Sequence, residues 1–206
     1  MLAGAMEIVL ASGNPHKRRE LVEILDSHTI RLPSDLGVSF AYEEVGTTYL
    51  ENAVGKAEAL HRQIGRPVLA DDSGISVPAL GGAPGVFSAR YGANASEEEL
   101  DDVGRYELLL ENMRGVADRR AFYVCCMVLV LEEYRMFICQ ETLHGEIALS
   151  PVGSGGFGYD PIFLLPERGV TVAQISAAEK HEISHRGKAG KRIAEILTAL
   201  AKAEPQ

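Results

Sequence analysis

The stretch from Val68 to Gly74, Val-Leu-Ala-Asp-Asp-Ser-Gly, sets two adjacent carboxylates at the end of an apolar run that is typical of a buried strand. Neighbouring carboxylates repel each other, so a strand end that carries two usually lies beside a cation or a substrate. In open α/β sheets, ligands bind just beyond the carboxyl ends of the strands. The alternative is a turn in which one Asp is a cap, the other is solvated and Gly74 allows the bend.

Length and charge limit the classes of protein that this chain can be. Its 206 residues are enough for one domain of two lobes with a substantial core. The net charge of -9 argues against binding nucleic acid or anionic membrane through a broad positive surface. The longest apolar run, Ala121 to Leu131, is about half the length that crosses a bilayer. We therefore expect no nucleic-acid or membrane partner.

The chain start and the cysteines indicate a cytoplasmic protein. Residues 1–6 lack the charged lead and long apolar block of a secretion signal, and translation can begin at Met6, which would make residues 1–5 an N-terminal extension. Cys125, Cys126 and Cys139 are odd in number, show no CxxC spacing and lie in strand-like runs. This pattern predicts reduced core thiols rather than metal ligands.

A strand, a tight turn and a helix start follow one another near the beginning of the chain. The strand covers Glu7 to Ala11, Asn14 is a good helix N-cap, and Pro15 suits the first helical position. Free backbone N–H groups, the positive end of the helix dipole and Lys17 would together bind an anion such as a phosphate. An ordinary capped helix with a surface lysine is the alternative.

The next segment predicts a strand and a second helix. Leu36 to Val45 has the composition of a strand, and Thr48 with Glu51 forms a capping box for a helix that continues to Ile64. Gly65 ends this helix. Its predicted inward face consists of Leu50, Ala53, Val54, Ala57, Leu60 and Ile64.

A pair of glutamates, Glu43 and Glu44, precedes this helix. The pair can meet Asp71 and Asp72 at one cation, although an exposed glutamate pair is more often simply solvated.

The second half of the chain is richer in strands. Ser96 and Glu99 predict the start of a third capped helix. Arg119–Leu131 and Arg135–Leu143 predict an antiparallel pair of long strands. Since the first half alternates strand and helix, we expect an α/β protein with a mixed central sheet flanked by helices.

A glycine-rich stretch, Gly153 to Pro161, is the second unusual feature. Four glycines within six residues let the backbone approach a ligand closely, and Phe157 offers a stacking face for a planar base. Asp160 adds a hydrogen-bond acceptor. We favour this interpretation over a wide turn whose aromatic side chains cover the edge of the core.

The last segment places cations where a helix disfavours them. Ser184 is a plausible N-cap, which puts His185 and Arg186 in the first helical turn, close to Lys180 in sequence. Cations are unfavourable at a helix N-terminus unless an anion compensates them. Such local conflicts tend to mark functional sites.

Six stretches, taken in order, resemble the inosine triphosphate pyrophosphatase family, whose members act on non-canonical purine nucleoside triphosphates. They are Ser-Gly-Asn-Pro-His-Lys at 12–17, Glu-Glu-Val-Gly at 43–46, Ala-Asp-Asp-Ser-Gly at 70–74, Leu-Gly-Gly-Ala-Pro-Gly-Val-Phe-Ser-Ala-Arg-Tyr at 80–91, Gly-Gly-Phe-Gly-Tyr-Asp-Pro-Ile-Phe at 155–163 and Glu-Lys-His-Glu-Ile-Ser-His-Arg-Gly at 179–187. The resemblance extends from Met6 to about Leu200.

The resemblance implies a Mg²⁺-dependent hydrolase that converts inosine, deoxyinosine or xanthosine triphosphate to the monophosphate and pyrophosphate, removing them before they enter DNA or RNA. It also implies a homodimer of two-lobed α/β subunits, with the nucleotide in a cleft between the lobes.

The resemblance assigns the site residues one by one. Asp72 is the proton acceptor, and Glu44 and Asp72 bind the metal. The other members of the set are substrate-binding residues: Ser12, Gly13, Asn14, Pro15, His16, Lys17, Ser73, Phe157, Gly158, Tyr159, Asp160, Lys180, His185 and Arg186. Two positions depart from the pattern, Ser12 in place of Thr and Arg105 in place of Asn.

Two other functions stay open. One is a related pyrophosphatase that acts on modified pyrimidine nucleotides. The other is a non-catalytic nucleotide sensor, which the acidic residues Glu44 and Asp72 disfavour because a sensor needs no activated water.

Overall fold

The computed structural model describes residues 5–93 and 100–203 in two compact units. Unit 1 contains Met1–Asp72, Cys125–Glu141 and Arg186–Gln206, and unit 2 contains Ser73–Val124 and Thr142–His185. Residues 1–4 of the predicted extension lie outside the described residues. So do Ser96 and Glu99, the predicted helix start.

Within residues 5–93 and 100–203, seven strands form one mixed sheet in the order β2-β1-β3-β4-β5-β6-β7. Strand β1 is parallel to β2 and β3, while β6 is antiparallel to β5 and β7. The strands are β1 (Glu7–Leu10), β2 (Thr29–Arg31), β3 (Val68–Ser76), β4 (Arg120–Glu132), β5 (Arg135–Ile147), β6 (Phe163–Leu165) and β7 (Val170–Thr171). The predicted mixed sheet is confirmed.

Five α-helices accompany the strands within the described residues. They are α1 (Pro15–Ile24), α2 (Tyr49–Ile64), α3 (Asp102–Asn112), α4 (Ala177–Ile183) and α5 (His185–Ala203). Across that part of the chain, no helix combines the length and the apolar character that crossing a bilayer requires.

The core of unit 1 has two layers because strand side chains alternate between the faces of the sheet. Cys125 belongs to the layer that includes residues of α1 and α5, and its neighbour Cys126 to the layer that includes residues of α2. All three cysteines are buried free thiols, as predicted. Burial raises the pKa of the Cys126 thiol to about 11, which keeps it protonated at neutral pH.

Helix α2 begins and ends as the sequence predicts. The Thr48 hydroxyl accepts a hydrogen bond from the Glu51 backbone N–H, and Gly65 ends the helix with a φ of 62°. The predicted inward face is wrong at Leu50, which is exposed. Asn52 and Lys56 are buried instead.

Two predictions about strands need correction. The segment from Leu36 to Val45 forms no strand: Leu36 ends a short 3-10 helix, and Val38 and Phe40 pack against the core layer that contains Cys126. Strand β3 does not end before Asp71 but continues to Ser76. Gly74 lies inside this strand, where a Cβ atom would come within 2.5 Å of the Gly85 carbonyl oxygen. It permits close approach of a backbone segment rather than a turn.

Unit 2 has a core of its own. Ile75, Tyr123, Phe163 and Leu109 belong to one buried cluster with residues of β5 and β6 and nearby segments. Helix α3 begins with Asp101 as its N-cap, whose carboxylate accepts from the Gly104 N–H at 2.8 Å. Strands, helix and connecting segments therefore support one another around this cluster.

A matched pair of leucines tests the position of the core. Leu129→Ala removes a side chain that is 0% exposed, and we expect a loss of about 2–5 kcal/mol in the free energy of unfolding. Leu149→Ala makes the same change at 84% exposure and should alter it by less than about 0.5 kcal/mol. Urea unfolding of both variants measures the difference, and equal losses would contradict the assigned core.

Candidate active site

Asp71 is the buried centre of the charged residues in unit 1. Its Oδ2 lies 3.1 Å from Lys17 Nζ and accepts from Arg186 Nε and Nη2, each at 3.3 Å. Its Oδ1 accepts no hydrogen bond from the described residues. Burial alone would raise the pKa of Asp71, but Lys17 and Arg186 hold it well below its usual value. Asp71 is therefore a permanent counter-charge.

Arg186 joins this centre through two carboxylates. Its Nη1 donates to Glu20 Oε2 at 2.7 Å, in addition to the bonds from its other nitrogens to Asp71. The guanidinium is almost fully buried in the first turn of α5. The cation that the sequence identified as unfavourable at a helix start is thus compensated by anions from α1 and β3.

Asp72 has a different environment from its neighbour. Its Oδ2 accepts from Asn52 Nδ2 at 3.0 Å. Burial raises the pKa of Asp72, and the nearby negative charge of Glu44 adds to this rise. Adjacent residues of one strand therefore hold one strongly acidic carboxyl and one that is more basic than usual.

Lys56 is a buried cation that sequence reasoning missed. Its ammonium pairs with the Glu44 carboxylate and donates to the Asp71 carbonyl oxygen at 3.1 Å. Burial lowers its pKa, but Asp71 and Glu44 more than offset this effect, so the pKa lies above its usual value. The available signal was the i, i+4 spacing of Asn52 and Lys56 beside the inward alanines of α2.

The N-terminus of α1 is built as predicted, with one correction. Asn14 is the N-cap and Pro15 is in the first turn. However, the backbone N–H groups of His16 and Lys17 are not free, because both donate to Asn14 Oδ1, at 2.9 and 3.2 Å. Ser12 Oγ accepts from the Asn14 N–H at 3.2 Å, with Gly13 between them. Lys17 supplies the formal positive charge at this end.

A second set of polar contacts lies in unit 2 around Asp160. This buried carboxylate accepts three hydrogen bonds: from the Tyr123 hydroxyl at 3.2 Å, from Lys180 Nζ at 2.6 Å and from the Phe157 backbone N–H at 2.9 Å. Lys180 Nζ also lies 4.6 Å from the centre of the Phe157 ring. Asp160 therefore holds both an ammonium and an aromatic ring in place.

The remaining predicted residues of unit 2 lie around this set. His185 stacks on Tyr123 with ring centres 4.6 Å apart. The Tyr159 hydroxyl donates to the Ser88 carbonyl at 2.8 Å, and the Gly158 N–H donates to Asp102 at 2.8 Å. Ser73 follows Asp72 in β3.

The predicted residues thus form two groups, each inside one unit. The group of unit 1 contains Ser12 to Lys17, Glu44, Asp72 and Arg186. The group of unit 2 contains Ser73, Phe157 to Asp160, Lys180 and His185. Arg186, which the resemblance assigns to substrate binding, contacts the acidic residues Glu20 and Asp71 of unit 1. Its contact with a substrate stays a prediction.

The fold and the unit 1 site define an α/β protein with a buried centre of carboxylates and ammonium groups, a class suited to phosphorylated ligands and cations. The chain belongs to the Ham1 family, whose profile matches residues 8–196. This result confirms the family resemblance that the six motifs indicated.

Known relatives cover almost the whole chain. A dITP/XTP pyrophosphatase of Treponema denticola is 51% identical over 184 residues, which are 89% of this chain and 94% of that protein. A dITP/XTP pyrophosphatase of Escherichia coli is 42% identical over 197 residues, which are 93% of this chain and 98% of that protein. The structure is similar to a HAM1 protein from Coxiella burnetii with a TM-score of 0.85 and 40% identity, covering 94% and 99% of the two chains.

The same substitution at the two neighbouring aspartates should change stability in opposite directions. Asp71→Asn removes the negative charge that is paired with Lys17 and Arg186. We expect the free energy of unfolding to fall by about 3 kcal/mol at pH 7. Asp72→Asn removes a charge that burial disfavours, so the free energy of unfolding should rise. Urea unfolding in EDTA measures both, and shifts of the same sign would contradict the assignment.

The pH dependence of each effect follows from its pKa direction. Because the pKa of Asp71 is lowered by folding, its contribution to the free energy of unfolding is complete above its pKa in the unfolded chain, about 3.9. This contribution is lost as pH falls through its pKa in the folded protein. The raised pKa of Asp72 means that its cost is present above its folded pKa and disappears below about pH 3.9. Wild type and Asp72→Asn should therefore converge in stability as pH falls toward 4.

Proposed function

We propose that the chain hydrolyses non-canonical purine nucleoside triphosphates, namely those of inosine, deoxyinosine and xanthosine, to the monophosphate and pyrophosphate. The names of the relatives from T. denticola and E. coli support this substrate class. The observation that carries the proposal is that two adjacent carboxylates of β3, those of Asp71 and Asp72, have different environments. Asp71 balances Lys17 and Arg186, whereas burial and the charge of Glu44 raise the pKa of Asp72.

The donor atoms in unit 1 fit Mg²⁺. Glu44 and Asp72 offer carboxylate oxygens. Burial and, to a smaller extent, the charge of Glu44 raise the pKa of Asp72, and a bound cation would offset both effects. No group of three or more His, Cys, Asp or Glu arranged to hold a metal occurs in residues 5–93 and 100–203. A site of two carboxylates suits Mg²⁺, which usually keeps waters and takes substrate phosphates as further ligands. Bound there, Mg²⁺ would polarise a phosphate oxygen and acidify a water.

The side chains of unit 1 have distinct proposed roles. Lys17 and Lys56 bind phosphate oxygens and neutralise charge that builds up in the transition state. Asp72 accepts the proton of the attacking water. Because a bound cation keeps the pKa of a carboxyl low, Mg²⁺ would supply most of the activation of that water. Ser12 and the capped start of α1 orient the phosphates.

Base recognition is assigned to the residues around Asp160 in unit 2. Phe157 stacks on the purine, and Lys180 donates a hydrogen bond to the 6-oxo group of hypoxanthine or xanthine. Adenine carries an amino group at this position, so a donor would face a donor, at a cost of about 1–3 kcal/mol. Asp160 contributes by holding Lys180 and the Phe157 backbone.

The location of the enzyme in the cytoplasm is a further part of the proposal, which the three buried cysteines support. Two other parts rest on the family resemblance: the enzyme removes these nucleotides from the pool before polymerases use them, and it forms a homodimer. Light scattering of the purified chain measures the last of these.

A substrate panel tests the proposed reaction. We expect Mg²⁺-dependent pyrophosphate release from inosine, deoxyinosine and xanthosine triphosphates to exceed release from adenosine or thymidine triphosphate at least about tenfold. Preferred cleavage of methylated uridine or thymidine triphosphates would identify a pyrimidine enzyme, and tight binding without turnover a sensor. Asp72→Asn should abolish turnover but keep part of the binding, whereas Asp118→Asn, an aspartate paired with Arg120 at the surface, should keep full activity.

Removal of the aromatic ring tests base stacking. Phe157→Ala should weaken the binding of every purine substrate by about 1–3 kcal/mol, because a stacked base loses its platform. Phe87→Ala, at an exposed phenylalanine of the same unit, is the control and should leave binding unchanged. Equilibrium titration of Asp72→Asn with inosine triphosphate, with and without each change, gives the affinities. Equal affinities would show that the base binds elsewhere.

A further inference from the structure

We propose that Asp102, together with its ion-pair partner Arg105, is a positioning residue for the base platform, the segment Gly156–Tyr159 that carries Phe157. The inference rests on the proposed function, because it takes Phe157 to be the residue on which the purine base stacks. It concerns helix α3, which neither the six sequence motifs nor the predicted site residues include.

Asp102 fixes the backbone directly after Phe157. Its Oδ2 accepts from the Gly158 N–H at 2.8 Å, a bond between residues 56 positions apart in the chain. The N–H of Phe157 itself donates to Asp160 Oδ2 at 2.9 Å. Two carboxylates from different parts of unit 2 therefore hold two consecutive amide groups.

Arg105 fixes Asp102 in turn. Its Nη2 lies 2.6 Å from Asp102 Oδ1, so each oxygen of this carboxylate has its own partner. The Nη1 atom of Arg105 donates to the carbonyl oxygens of Ala89 at 2.9 Å and Leu100 at 2.5 Å. The side chain of Asp102 is thus locked in one orientation by a planar donor group.

Arg105 is also connected to the C-terminal end of the platform, at Tyr159. Ala89, which accepts from Arg105, directly follows Ser88, whose carbonyl accepts from the Tyr159 hydroxyl at 2.8 Å. Three consecutive residues of the platform are therefore fastened: Phe157 to Asp160, Gly158 to Asp102 and Tyr159 to Ser88.

The platform needs such fastening because of its glycines. Gly156 and Gly158 have φ values of 73° and 61°, and glycine loses more conformational freedom than any other residue when it is fixed. If the Gly158 N–H lost its acceptor, the ring between the two glycines would sample more orientations before binding. Substrate would then have to order the segment, which lowers affinity without changing the reacting groups.

Two neighbouring aspartates allow a matched test. Asp102→Ala removes the acceptor for Gly158, whereas Asp101→Ala removes the N-cap of the same helix and leaves that acceptor in place. For inosine triphosphate, we expect Asp102→Ala to raise KM about tenfold with kcat within about twofold, the signature of lost uniform binding. Asp102→Asn keeps an acceptor oxygen and should recover most of the loss.

Inorganic pyrophosphate provides a control for the phosphate-binding residues. Its inhibition constant against inosine triphosphate should stay within about twofold of wild type in all three variants, because it lacks a base. A KM increase as large in Asp101→Ala as in Asp102→Ala would show that only helix stability matters, and would overturn the inference.

Hydrogen exchange gives a readout that needs no substrate. The Gly158 amide should exchange at least about tenfold faster in Asp102→Ala than in wild type or Asp101→Ala. Unchanged exchange in Asp102→Ala would overturn the inference even if the wild type is a pyrophosphatase. Conversely, a wild type that releases no pyrophosphate from any triphosphate would refute the proposed function. Faster exchange of the Gly158 amide in Asp102→Ala would in that case still show that Asp102 holds the platform.

Discussion

The ion pairs of Asp71 with Lys17 and Arg186 are the interaction on which the rest of unit 1 depends. A buried carboxylate with two cations joins β3 to α1 and α5, and Glu20 completes the balance around Arg186. Removal of one partner from such a group costs far more than the pair contributes, because a charge is left in a medium of low polarity. Asp71 therefore fixes the position of the Lys17 ammonium, and Asp72 is not needed for this ion pair.

Unit 2 also contains a buried aspartate that pairs with a lysine. Asp160 is a buried carboxylate that holds Lys180 and, through a backbone N–H, the ring of Phe157. In each unit an aspartate that is not assigned to the chemical step fixes a lysine that is assigned to the ligand. Such preorganisation lets the cations act without reorganisation when charge develops. Asp102 extends this logic to the glycine-rich segment.

The sequence predicted features with local causes and missed those that depend on distant contacts. The ends of α2 follow from Thr48 and Gly65, because caps and φ preferences are properties of neighbouring residues. The segment from Leu36 to Val45 has strand composition, yet Leu36, Val38 and Phe40 pack on a core layer without forming a strand, and tertiary contacts decide this outcome. Lys56 and the role of Asp71 were missed for the same reason, since their partners lie far away in the sequence.

A double-mutant cycle between Asp71 and Arg186 measures whether the two buried charges stabilise each other. The free energy of unfolding is measured for wild type, Asp71→Asn, Arg186→Gln and the double variant, all without metal. We expect a coupling free energy of at least about 1 kcal/mol, since removing either charge makes the loss of the other less costly. Additive effects within about 0.3–0.5 kcal/mol would contradict this expectation, because the two residues would then be energetically independent.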